Sequence, residues 1–172
     1  MILHPQWQGI IKVIISIILG GLIGLERELA SKPAGLRTHM LVAGSATLFV
    51  ILGDFLVQYF VSGPLPNNVL RGDPIRIMQA IITGISFLGA GTIIFRGHRS
   101  AVEGLTTAAS ILFVSGIGMA VAIGETLMAV ILTVLVVGIL LIVGKLERLI
   151  QKRVRHTNLE DGERNNDGIN KE

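Results

Sequence analysis

Residues 105–143 read LTTAASILFVSGIGMAVAIGETLMAVILTVLVVGILLIV, and Glu125 is the one charged side chain among them. Roughly 20 apolar residues carry a helix across the ~30 Å of hydrocarbon in a bilayer. This run is about twice that length, and Gly124-Glu125 falls near its middle. It therefore predicts two crossings joined by a tight turn. Three further apolar runs precede it, giving five predicted helices over residues 7–25, 36–60, 75–95, 105–123 and 126–143. The predicted fold is all-α, a polytopic membrane helix bundle.

The composition agrees. The chain has 172 residues, 51% hydrophobic and 16% charged, against about a quarter charged in a soluble domain. Mean hydropathy is +0.68. The absence of cysteine excludes a disulfide scaffold and any thiolate metal or redox site. The first helix does not read as a cleaved signal peptide, because Lys12 lies inside the apolar run and Glu26-Arg27-Glu28 follows it.

Lys and Arg set the orientation. Arg27, Lys32, Arg37, Arg96, Arg99, Lys145, Arg148, Lys152, Arg153 and Arg155 fall on one side, and Arg71 and Arg76 on the other, ten against two. This predicts the N-terminus outside and the C-terminus in the cytoplasm, which requires an odd number of spans. A shift of 69 residues pairs Leu19 with Leu88, Gly20 with Gly89, Arg27 with Arg96, Ser31 with Ser100, Gly35-Leu36 with Gly104-Leu105, and Thr38 with Thr107. Helices 1–2 and 3–4 are read as a parallel internal repeat. The domain division is a transmembrane domain over 1–144, a basic amphipathic juxtamembrane segment over 145–156 and a disordered cytoplasmic tail over 157–172.

Small residues let helices approach in lipid. Ser16, Gly20 and Gly24 form one stripe on helix 1, and Gly116, Ala120 and Gly124 another on helix 4. Helices 1 to 4 are expected to form the core, with the bulky fifth peripheral. Charges inside apolar runs are costly and mark function. Lys12 and Asp54 are expected to pair or share a polar cavity, unless Lys12 snorkels and Asp54 is hydrated. Arg76 and Gln79 lie three apart on one face of helix 3. A denser cluster is predicted at the cytoplasmic face from Glu26, Arg27, Glu28, Arg37, Thr38, Arg96, Glu103, Thr106 and Thr107. Thr38 and Thr107 suit helix N-termini, where a hydroxyl accepts from a free N–H. Two such termini with nearby arginines suit an anion; the alternative is an internal network pairing Glu26 with Arg37 and Arg96 with Glu28 or Glu103. His4, His39, His98 and His156 lack metal-ligand spacing, and neither a Walker A sequence nor HExxH occurs. No enzymatic activity is expected.

Gly21-Leu22-Ile23-Gly24-Leu25-Glu26-Arg27-Glu28, then Ala34-Gly35-Leu36-Arg37-Thr38, then residues 84–94 (GISFLGAGTII), then Gly104-Leu105-Thr106-Thr107-Ala108-Ala109-Ser110 and Ser115-Gly116-Ile117-Gly118 together resemble the MgtC/SapB family of bacterial inner-membrane proteins. Gly35, Gly84, Gly89, Gly91 and Gly104 are the glycines of those motifs. The resemblance implies a link to magnesium limitation and, in pathogens, to survival inside host cells. It also implies regulatory action on other membrane proteins, the ATP synthase included. Many members add a cytoplasmic ACT-like domain after the last helix, for which the tail of this sequence is expected to be too short. The partners implied are the lipid bilayer, a second copy in a homo-oligomer, and other inner-membrane proteins, but no nucleic acid. No cofactor is expected; Mg2+ is the one candidate metal, at Asp54 or Asp73. Three functions compete: a regulator that docks on membrane proteins, an oligomeric Mg2+ transporter or channel, and a scaffold without ligand. Sparse intramembrane carboxylates favour the first and the repeat favours the second, since Mg2+ prefers carboxylates with retained water.

Overall fold

The computed structural model describes residues 5–61, 74–94 and 104–146. They form α1 (Pro5–Leu29), α2 (Leu36–Val61), α3 (Pro74–Ile94) and α4 (Leu105–Ala122), followed by α5 (Thr126–Leu146). All five are long and apolar enough to cross a membrane, and the described residues contain no strand. The chain divides into two compact units, residues 1–137 and 138–172. In the second, the described residues 138–146 are helical and half-buried to exposed. The expected segments 145–156 and 157–172 lie outside the described residues from 147 onward.

Helix ends follow from backbone chemistry. α1 runs one turn past its apolar stretch because Glu26, Arg27 and Glu28 remain helical. It stops at Ser31, which takes a left-handed φ of 53°. There Ser31 N–H donates to Glu28 O (3.0 Å) and Lys32 N–H to Arg27 O (2.9 Å), the paired bonds of a Schellman motif. The α4–α5 turn repeats this device. Gly124 has φ 99°, Gly124 N–H donates to Val121 O (3.1 Å) and Glu125 N–H to Ala120 O (2.9 Å). This is the tight turn expected at Gly124-Glu125.

The core lies among α1, α2 and α4, which all touch one another. Ser16, Gly20 and Gly24 form the α1 stripe read from the sequence. An added Cβ at Gly20 would stand 2.6 Å from His39 O, and one at Gly24 2.8 Å from Leu36 Cα. The α1 and α2 backbones thus approach as closely as glycine permits. Of the α4 stripe expected at Gly116, Ala120 and Gly124, Ala120 is buried, whereas Gly116 is half-buried and Gly124 exposed. Gly116 has open space around it, whereas Ile111, Val114, Ser115, Gly118 and Val121 are buried. Gly116 stands 200° from Gly118 around the helix at about 100° per residue, so it points away when Gly118 packs on Ala43 and Ala46. Thr47 ties the same contact, donating to Gly118 O at 2.8 Å and to its own helix at Ala43 O at 3.1 Å.

α3 is a second correction, since it is not part of the core. It packs on α4 and α2 but does not touch α1. Gly89 is its one buried position among the described side chains, seated against Ala108. Gly84 and Gly91 face open space, and Phe87 is 85% exposed. The chain stays helical through Gly89-Ala90-Gly91, where Thr92 Oγ1 donates to Gly89 O. On α5 a stripe of Ala129, Thr133 and Val136 is buried and the bulky residues between are mostly exposed.

Candidate functional site

Polar side chains gather at two opposite ends of the bundle. At the first, α1 ends while α2 and α4 begin. Arg27 is 3% exposed. Its Nη2 donates to Thr107 Oγ1 on α4 at 3.2 Å, and its Nη1 lies 4.0 Å from Glu26 Oε2. Arg27 Nε and Glu26 Oε2 are both buried without a hydrogen-bond partner. The guanidinium sits by the positive end of α4's dipole, an unfavourable place for a cation, and Glu26 is the countercharge the chain supplies there.

His39 stands beside this group, fully buried. Its Nδ1 lies 2.9 Å from Gly35 O and its Nε2 3.0 Å from Ser110 Oγ. A carbonyl only accepts, so Nδ1 carries a hydrogen. Ser110 Oγ also lies 2.8 Å from Thr107 O. With a neutral ring the Ser110 hydroxyl donates to Nε2; with a charged ring Nε2 donates to Ser110, whose hydroxyl turns to Thr107 O. His39, Ser110, Thr107 and Arg27 therefore link α2, α4 and α1 through contiguous polar contacts. The sequence treats His39 as one of four scattered histidines. The available signal was an imidazole one turn into an apolar helix, opposite two glycines that bring the neighbouring backbone onto it.

Several expected roles at this end are replaced. Glu26 faces Arg27 rather than Arg37, which is exposed. Thr107 does not cap α4; its hydroxyl accepts from Arg27, and Gly104 at the N-cap, with φ 98°, makes no side-chain cap. The α2 N-terminus is served by Glu28, whose Oε2 accepts from Leu36 N–H at 3.0 Å, not by Thr38. That placement requires Gly35, where a Cβ would overlap the Glu28 carboxylate. Thr106 is exposed. Arg96, Glu103 and Asp73 lie outside the described residues.

At the opposite end Lys12 and Asp54 line one cavity of about 450 Å³, with Gln8, Gln58, Phe55, Ile77 and Ala122 among its walls. They share the cavity without pairing to each other. Lys12 Nζ donates to Ala122 O at 2.8 Å, at the carbonyl end of α4, where a cation is favoured. Asp54 Oδ2 accepts from Gln58 Nε2 at 2.8 Å. Arg76 and Gln79 are both exposed. Among the described residues no three His, Cys, Asp or Glu come together as a metal site.

Residues 13–149 match the family model described as "MgtC family". The chain is 37% identical over 143 residues to a protein of Haemophilus influenzae, covering 83% of this chain and 57% of that one. It is 38% identical over 117 residues to the Escherichia coli K12 protein named "Putative magnesium transporter YhiD", covering 68% and 52%. It is 36% identical over 124 residues to "Protein MgtC" of Brucella abortus, covering 71% and 45%. The chain thus spans about half the length of the curated relatives it matches. No solved structure matches it at a significant level.

Proposed function

The chain belongs to the MgtC family, and from that premise we propose that it serves Mg2+ homeostasis in the bacterial inner membrane as a non-catalytic regulator that docks on other membrane proteins. The observation that carries this is the ammonium of Lys12 on the same cavity as Asp54. A divalent cation entering beside Asp54 meets a fixed positive charge in a medium that screens it poorly. At the other polar end Arg27, Thr107, Ser110 and His39 spend hydrogen bonds on one another. In this reading the N-terminus is outside and the C-terminus cytoplasmic, α1–α2 and α3–α4 are a parallel repeat, and the chain works in contact with lipid, a second copy or other inner-membrane proteins, without cofactor or nucleic acid. A relative named for magnesium transport, together with a cavity at the one carboxylate of α2, favours a second reading, an oligomeric Mg2+ transporter.

One experiment separates them. Purified protein in liposomes is tested for Mg2+ entry, and Arg37→Ala for growth on low Mg2+. The regulatory reading expects no flux above that of empty liposomes and a growth defect from Arg37→Ala. Flux that disappears in Asp54→Asn would replace it with transport through the Lys12–Asp54 cavity.

A further inference from the structure

The cavity at the Lys12 end holds two opposite charges that do not neutralise each other. Lys12 spends one of three ammonium donors on Ala122 O, and Asp54 spends one oxygen on the Gln58 amide. Each keeps hydrogen-bonding capacity. Asp54 and Gln58 are exposed and Lys12 is half-buried, so a ligand from outside meets the carboxylate first and the ammonium deeper. The volume, about 450 Å³, falls in the range of small-molecule sites, and Phe55 and Ile77 give it apolar wall.

These walls discriminate by charge. A lone cation is repelled by Lys12 and a lone anion by Asp54. A molecule carrying both an ammonium and an anionic oxygen group satisfies both walls with charge-assisted hydrogen bonds, which are about twice as strong as neutral ones. We propose that the Lys12–Asp54 cavity binds a primary-amine zwitterion, its ammonium on Asp54 and its anionic group on Lys12. The phosphoethanolamine unit has this chemistry, either as the headgroup of an aminophospholipid or free in solution. A quaternary ammonium does not suffice, because it has no N–H for Asp54. The site is independent of the regulatory reading, since a docking protein and a transporter could each hold such a ligand.

The test uses the full chain in dodecyl maltoside. Native mass spectrometry measures retention of phosphatidylethanolamine, phosphatidylcholine and phosphatidylglycerol, and calorimetry measures binding of free phosphoethanolamine. The expected result is about tenfold stronger retention of phosphatidylethanolamine than of the other two lipids. Asp54→Asn should abolish that preference while leaving phosphatidylglycerol retention no weaker. Lys12→Met should lower it about tenfold, and Lys12→Arg should keep it. Calorimetric binding of free phosphoethanolamine, lost in Asp54→Asn, without lipid preference would support the same site with a soluble ligand. Equal retention of the three lipids with no binding of free phosphoethanolamine would overturn the proposal, as would binding of either probe indifferent to Asp54→Asn. Asp54 is exposed and asparagine still accepts from Gln58, so that variant decides even where Lys12→Met unfolds.

Discussion

Glycine-to-alanine substitutions at four positions should split by sign, and the structure sets the split. At Gly84 and Gly116 a new Cβ meets nothing within 4 Å. The substitution there should stabilise the helix by about 0.5–1 kcal/mol through backbone entropy. At Gly20 the Cβ would lie 2.6 Å from His39 O and 2.7 Å from Ala43 Cβ. Ordinary contact is 3.4–4 Å, so the α1 and α2 backbones must separate by roughly 1 Å, an overpacking that costs about 1–3 kcal/mol. Gly24 is equivalent, its Cβ 2.8 Å from Leu36 Cα and 2.9 Å from His39 Cβ. The obstacles are backbone or first-carbon atoms, with no flexible side-chain end to swing aside. The helix gain is common to all four positions and cancels, so the two pairs should differ by the overpacking cost, about 1–3 kcal/mol. The assay is unfolding by SDS titration in mixed micelles followed by circular dichroism, with the four variants side by side. If Gly20→Ala and Gly24→Ala proved as stable as Gly84→Ala, the close α1–α2 approach would be wrong, and with it the placement of His39 against α4.

Two further substitutions probe the C-terminal end of α1. Thr107→Val removes the hydroxyl that accepts from Arg27 Nη2 while keeping shape, and should cost about 1–3 kcal/mol in the same SDS titration, as expected for a buried polar group left unmatched; a neutral result would mean the guanidinium is solvated. Ser31→Gly relieves a left-handed φ of 53° and should raise stability by about 0.5–1 kcal/mol, whereas Ser31→Val should lower it, so a loss with glycine would contradict the Schellman geometry.

Hydropathy made the five helices legible, because length and apolarity alone decide whether a segment crosses. The Gly124 turn was legible for a similarly local reason. Which helices lie inside was not. Lipid tails are as apolar as leucine, so exposure to them leaves no mark on composition. α3, with Gly84, Gly89 and Gly91, reads as a core helix like α4, yet of these three glycines only Gly89 meets a neighbour closely. The α4 stripe was right at Ala120 and out of phase at Gly116: Gly116 and Gly118 are both small, and only contact with Ala43 distinguishes them. The polar cluster was found as a region, but its pairings depend on rotamers and backbone approach. Glu28 reaches Leu36 N–H only because Gly35 leaves room, and His39 acquires Ser110 from a helix 71 residues away.

The two polar ends answer the same physical problem in opposite ways. A charge within a membrane segment is costly unless paired or wetted. Arg27 is met from within the chain, by Glu26 and Thr107, and the His39–Ser110 pair adjoins it. Removing a member leaves another buried and unmatched, so substitutions at that end should register first as lost stability. Lys12 and Asp54 could have offset each other as an ion pair, and instead each is held to its own neighbour with the cavity between them. Asp54 is exposed, and its replacement by asparagine leaves no buried charge behind. Substitution there should register as altered binding with stability nearly unchanged. That contrast separates a structural polar cluster from a ligand site, whatever the ligand is.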